Sequence, residues 1–156
     1  MSQAQTSYEE ILQKSWAELP EAKMLPDGSY RLRCTGAKVM PPKQADHSAQ
    51  ALFVYEPQEP MDDVNADALA ALGADYDFSE NVIYARFWLS KASDWDKVRK
   101  HLAKHGINPT DFDSVDASLK AVKNTELIGY VVARTFADKS GAVQQENVVQ
   151  TFIELN

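Results

Sequence analysis

The sequence predicts a mainly β domain: a five-stranded barrel with one helix between the third and fourth strands and a further helix in front. Three observations carry this. Five segments read as strands: GSYRLRCTGAKVM from residue 28, ALFVYE from 51, VIYARFWLS from 82, ELIGYVVARTF from 126 and NVVQTFIEL from 147, and the first and third show the period of two that extended backbone imposes. The longest segment with helical period, Asp94 to His105, falls between the third and fourth of them. Finally, 156 residues at 44% hydrophobic and 25% charged suit one domain with a real core.

Taken in order, the chain opens with a helix over Tyr8 to Leu19. Ser7 and Glu10 have capping-box spacing and Pro20 stops the run, so residues 1–24 read as a helical extension. Pro26-Asp27-Gly28 is a turn. In the first strand Tyr30, Leu32 and Cys34 alternate with Arg31, Arg33 and Thr35, and Gly36 marks a bulge or bend. Pro41-Pro42 ends it, and the loop PPKQADHSAQ leads to the second strand. Residues 57–80 read as an acidic insertion with a short helix at Asp67 to Leu72, the least rigid part of the chain. After the third strand, Ser93 is placed as the cap of the main helix. Trp95, Val98 and Leu102 point inward there, and Gly106 is the stop. A weaker helix spans about Ser114 to Lys123. The last two strands are joined by ADKSGAVQQE, whose Asp138, Lys139 and Gly141 mark a hairpin. In the fourth strand Tyr130 and Phe136 share a parity with Ile128 and Val132, which assigns both to the core. Three strands, a helix and two strands is the oligonucleotide-binding (OB) barrel arrangement, and an open sheet flanked by helices is its competitor.

Charge and composition exclude several classes. The net charge is −7, but eight acidic residues and no Lys or Arg lie between Glu56 and Glu80. That leaves 16 basic against 15 acidic residues elsewhere. The low pI therefore does not exclude an anionic ligand, because binding follows the distribution of charge and not its total. No apolar run approaches the roughly 18 residues of a membrane span. The start MSQAQTSYEE has neither a basic nor an apolar segment, so no secretory signal is expected. Cys34 stands alone and suits a reducing compartment, with cytoplasm as the default. It reads as a buried small hydrophobe. His101 and His105 lie four apart with no third ligand nearby, and they read as a solvated helix end. Asp62-Asp63 reads as solvated, and there is neither a Gly-rich phosphate loop nor GxSxG. No cofactor, metal or catalytic activity is expected.

What remains is the polar side of the strands. Arg31, Arg33 and, past the glycine, Lys38 lie on the first strand. Phe53 and Tyr55 join them if Leu52 and Val54 point inward, with Phe53 open between core and groove. The third strand places Tyr84, Arg86 and Trp88 on one parity, opposite Ile83, Ala85, Phe87 and Leu89. Arg134 reaches the rim, and the loops add Lys43, His47 and Lys139. Flat rings stack on splayed bases while cations follow phosphates, so this mixture suits single-stranded nucleic acid. The same residues dominate protein–protein hot spots, which keeps a protein-interaction module open. An acidic mimic of DNA that blocks host DNA-binding proteins is the third reading.

The segments LPDGSYRLRCTGAKV, VIYARFWL, WDKVRKHLAKHGI, ELIGYVVART and DKSGAVQQENVVQTFIEL together resemble the small single-stranded DNA-binding proteins of tailed bacteriophages, over residues 25 to 155. An Asp-Gly-x-Tyr opening, an Ile-Gly-x-x-Val entry to the fourth strand and an Asn-x-Val approach to the fifth carry the resemblance. It implies a viral OB-fold protein, acting in the host cytoplasm, that coats single-stranded DNA during replication, recombination or repair. Many relatives of that kind end in an acidic tail that recruits partner enzymes. Here the acidic residues lie internally at 56–80, so replication or recombination proteins are expected to dock on that segment, or the segment competes with DNA for the basic groove. Assembly as a homodimer is left open.

Overall fold

The computed structural model describes residues 8–13, 23–42 and 48–155. Five strands, β1 (Gly28–Met40), β2 (Gln50–Pro60), β3 (Ile83–Trp88), β4 (Glu126–Ala137) and β5 (Val143–Glu154), form one antiparallel sheet in the order β3-β2-β1-β4-β5. The helices are α1 (Tyr8–Gln13), α2 (Ala66–Leu72), α3 (Ala92–Lys104) and α4 (Val115–Lys120). The molecule is mainly β, with the main helix between the third and fourth strands as the sequence predicts. Among the described residues no hydrogen-bonded ladder joins β3 to β5, so the sheet is open. Its two edges nevertheless line a common groove. The expected helix to Leu19 is described only as far as Gln13.

β1 shows how a bulge sets the faces. Tyr30, Leu32 and Cys34 are fully buried, while Arg31 and Arg33 lie half-buried on the other face. Pairing then steps from Cys34↔Tyr55 to Gly36↔Val54, which leaves Thr35 as the extra residue. The step inverts the parity: Ala37 packs against the core and Lys38 is exposed. Burial pushes the Cys34 thiol up to about 11, as expected for an inert buried cysteine.

Strands β2 and β4 correct the expected parity. Phe53 and Tyr55 are 0% exposed and belong to the core, not to a groove. ALFVYE is apolar on both parities, so alternation alone could not choose. Packing chooses, because Phe53 meets the imidazoles of His101 and His105 (centroids 4.6 and 5.8 Å) and Tyr55 meets Phe152 (5.3 Å). In β4 the inward residues are Leu127, Gly129 and Val131, which leaves Tyr130 half-buried and Phe136 39% exposed. Gly129 fixes this, since a Cβ there would stand 2.6 Å from Leu32 Cδ1 and 2.9 Å from Val149 Cγ1.

The acidic segment carries the short helix expected of it and sends apolar side chains into the core. β2 runs on to Pro60, and Val64 and Leu72 are buried with Leu69, Tyr76 and Phe78 packed beside them. Asp63 accepts hydrogen bonds from the Ser29 backbone N–H (2.8 Å) and hydroxyl (2.7 Å), which hold its carboxyl below the usual range. Apolar residues spaced among the carboxylates give the segment a buried side. α3 also departs in detail. It begins at Ala92, and Asp94 at its third position accepts from the Ser90 N–H (2.9 Å) and the Lys91 N–H (3.2 Å), so Ser93 is not the cap. Val98 and Leu102 point inward as expected, while Trp95 is only half-buried.

Candidate nucleic-acid interface

Residues directly opposite each other in an antiparallel sheet share a face, so the register assembles the outer surface of β1, β2 and β3 row by row. Trp88 faces Gln50, which faces Met40. Arg86 faces Leu52, which faces Lys38. Tyr84 faces Val54, which faces Gly36. The third strand thus follows the predicted parity: Ile83 is buried and Ala85, Phe87 and Leu89 are partly buried. Tyr84 and Trp88 are 48% and 54% exposed. The Arg86 guanidinium lies 5.4 Å from the Tyr84 ring centroid, within cation–π range. Leu52, 9% exposed, forms an apolar floor in the depression lined by Arg86, Trp88, Met40 and Pro42. Tyr84 and Trp88 sit four residues apart, about 13 Å along the strand. Bases of one extended strand can reach both.

The structure sorts the predicted cations by their partners. Arg31 bonds Glu59 (3.0 Å) and Glu126, Arg33 bonds Glu56 (2.9 Å), and Arg134 bonds Glu146. All three are held by carboxylates on neighbouring strands, and Arg31 and Arg33 lie on β1 beyond the aromatic rows. Arg86, Lys38 and Lys139 are exposed, and none of them is in an ion pair among the described residues. Lys139 stands at the β4–β5 turn, where the Asp138 carboxylate accepts from the N–H groups of Ser140 (2.9 Å) and Ala142 (3.0 Å). Arg134, with Glu146, lines a second depression shared with Tyr84 and Arg86. Lys43 and His47 lie outside the described residues. Phe53 and Tyr55, buried beneath this face, cannot touch a ligand lying on it.

Sequence reasoning missed two sets of residues. Lys97, Lys100 and Lys104 line a groove that also contains Tyr84, Arg86 and the Val148–Phe152 stretch of β5. Their i, i+3, i+7 spacing was the available signal. The second set is buried. His101 and His105 correct the reading of a solvated helix end: both lie in the core, with their Nε2 atoms 2.5 and 2.8 Å from the Tyr55 hydroxyl. Their places follow the core face of α3, since His101 stands three after Val98 and His105 four further on.

Hydrogen-bond accounting fixes the neutral arrangement of this cluster. Thr125 Oγ1 donates to the Val122 carbonyl (2.6 Å), so it accepts from His105 Nδ1–H (2.7 Å). His105 Nε2 then accepts the Tyr55 proton, and the Tyr55 oxygen accepts from His101 Nε2–H. Burial lowers His101 to about 3 and His105 to about 4, and it raises the Tyr55 hydroxyl far above its ordinary value. Each group stays neutral and each proton has one acceptor. Among the described residues no group of three His, Cys, Asp or Glu is placed to hold a metal ion, and no helix is long and apolar enough to cross a membrane. Comparisons with family models, curated proteins and solved structures find no match to this chain.

Proposed function

We propose that this chain is a non-enzymatic single-stranded DNA-binding protein of OB type, of the kind found in tailed bacteriophages, coating unpaired DNA with little sequence preference. One observation carries the reading. Tyr84, Arg86 and Trp88 stand exposed in a row on an outer strand face, with a guanidinium that makes no ion pair among the described residues and an apolar floor at Leu52. Solvated strands rarely expose large rings in this way, whereas stacking on bases requires them. Strand adjacency supports the fold half of the proposal. β1 lies beside β2 and β4, β2 beside β3, and β4 beside β5, which are neighbours shared with a partly open five-stranded Greek-key barrel whose second and third strands carry the ligand. The acidic-mimic reading loses ground because Glu56, Glu59 and Asp63 are occupied within the fold.

The test is a titration with labelled oligo-dT, followed by tryptophan fluorescence and repeated with RNA and duplex competitors. Binding with quenching, lost in Trp88→Phe, supports stacked bases. An oligonucleotide that leaves the emission and the mobility of the protein unchanged removes the proposal and favours a protein-docking face.

A further inference from the structure

Four cations converge on the groove between α3 and β5: Lys97, Lys100 and Lys104 from the helix and Arg86 from the edge of β3. Among the described residues no carboxylate lines this groove and none of the four cations is in an ion pair. Arg99, on the same helix, is paired with Asp96 at 2.8 Å. The three lysines occupy one helix face over about 10 Å of axis. Like charges at these spacings repel weakly, and a bound anion would offset that repulsion. The helix dipole accounts for Lys104, which lies in the last turn, but not for Lys97 or Lys100. Arg86 also lines the depressions beside Trp88 and beside Arg134, and Tyr84 is shared with the latter. The groove is therefore continuous with the aromatic face.

We infer that this groove carries the phosphate backbone of the bound single strand, whose bases lie on Tyr84 and Trp88, with Arg86 at the crossing. The inference rests on the proposed single-strand reading and adds a path to it. The phosphates pass over the edge of β3 along α3, away from the carboxylate-bound Arg31 and Arg33 of β1.

Salt dependence tests it, because each cation that displaces a counterion from single-stranded DNA adds about 0.7 to the slope of log affinity against log salt. The variant Lys97→Gln/Lys100→Gln/Lys104→Gln is expected to bind oligo-dT with a slope shallower by about 2 and at least about tenfold more weakly at 50 mM salt. Its fluorescence quenching at saturation should be retained, since the stacking rings are untouched. Lys97→Arg/Lys100→Arg/Lys104→Arg should keep the wild-type slope. If the triple glutamine variant fails to fold, Lys97→Gln/Lys100→Gln serves in its place, with an expected change of about 1.4. A folded variant with an unchanged slope overturns the inference and leaves the single-strand reading standing. Wild type that ignores oligo-dT overturns both. If the slope for poly-glutamate falls with the lysines while that for oligo-dT does not, the groove takes an acidic protein segment instead.

Discussion

Trp88 and Tyr84 differ from Phe53 and Tyr55 in one respect that decides what each can do: the first pair is about half exposed and the second is sealed. Replacing an exposed ring removes a stacking platform without opening a cavity. Trp88→Ala or Tyr84→Ala should therefore weaken oligo-dT binding by about 1–3 kcal/mol each, with the melting temperature nearly unchanged. A collapse of thermal stability with intact affinity per folded molecule would assign that ring to the core. The buried pair should behave in the opposite way. Phe53→Ala leaves a cavity beside both histidines and is expected to cost about 3–5 kcal/mol. Tyr55→Phe strips two imidazoles of their shared partner and should cost about 1–3 kcal/mol. Chemical denaturation measures both, and affinity per folded molecule should survive in each.

The sheet depends on places where no side chain fits. Gly28 has φ of 148°, and a Cβ there would lie 2.5 Å from Val64 Cγ2 and 3.1 Å from the Val64 backbone. The loop after β2 is seated directly on this glycine. Gly129→Ala would press on Leu32 and on the branched Val149, pushing β5 from β4, and should destabilise by about 1–3 kcal/mol. Gly28→Ala should cost more, because backbone must move and the φ is unfavourable for any L side chain. Thermal melting that ranks the two in the reverse order would refute this account. The acidic segment also belongs to this scale. With Val64 and Leu72 in the core, its excision would damage folding, so the two roles expected of it need a gentler probe. Glu56→Gln with Glu59→Gln frees Arg33 and weakens the hold on Arg31. Tighter oligo-dT binding would mark these carboxylates as competitors for the DNA, whereas unchanged affinity would leave them as sheet pairs.

At the scale of the whole molecule, the Tyr55–His101–His105–Thr125 cluster ties β2 to α3 and to the start of β4 through groups that must stay neutral. Unfolded histidine takes a proton near pH 6.5, while His101 and His105 resist until about 3 and 4. Between those values the unfolded state binds more protons than the folded one. Stability therefore falls as pH drops below about 6.5, by up to about 1.4 kcal/mol per pH unit for each histidine, and levels off near the folded values. Above pH 6.5 the pair contributes no pH dependence. Melting curves between about pH 5 and 6, above the range where Asp63, Asp77, Asp94 and Asp138 add their own proton uptake, should show a slope approaching two protons in the wild type and about half that when one histidine is replaced by glutamine.

Local patterning in the sequence was enough to determine the five strands, the place of the main helix, the bulge near Gly36 and the outward trio Tyr84, Arg86 and Trp88. Where a polar and an apolar parity differ clearly, as in the first and third strands, local backbone geometry does the rest. Where both parities are apolar, as in ALFVYE and LIGYVV, only packing could choose. The choice fell to partners far along the chain: the imidazoles of α3 for Phe53 and Tyr55, and Leu32 with Val149 for Gly129. The pairing of Arg31, Arg33 and Arg134 with glutamates, the burial of two histidines and the convergence of three lysines on β5 were decided in the same way. Each joins residues on different elements, and strand register sets those distances while a single segment does not contain them.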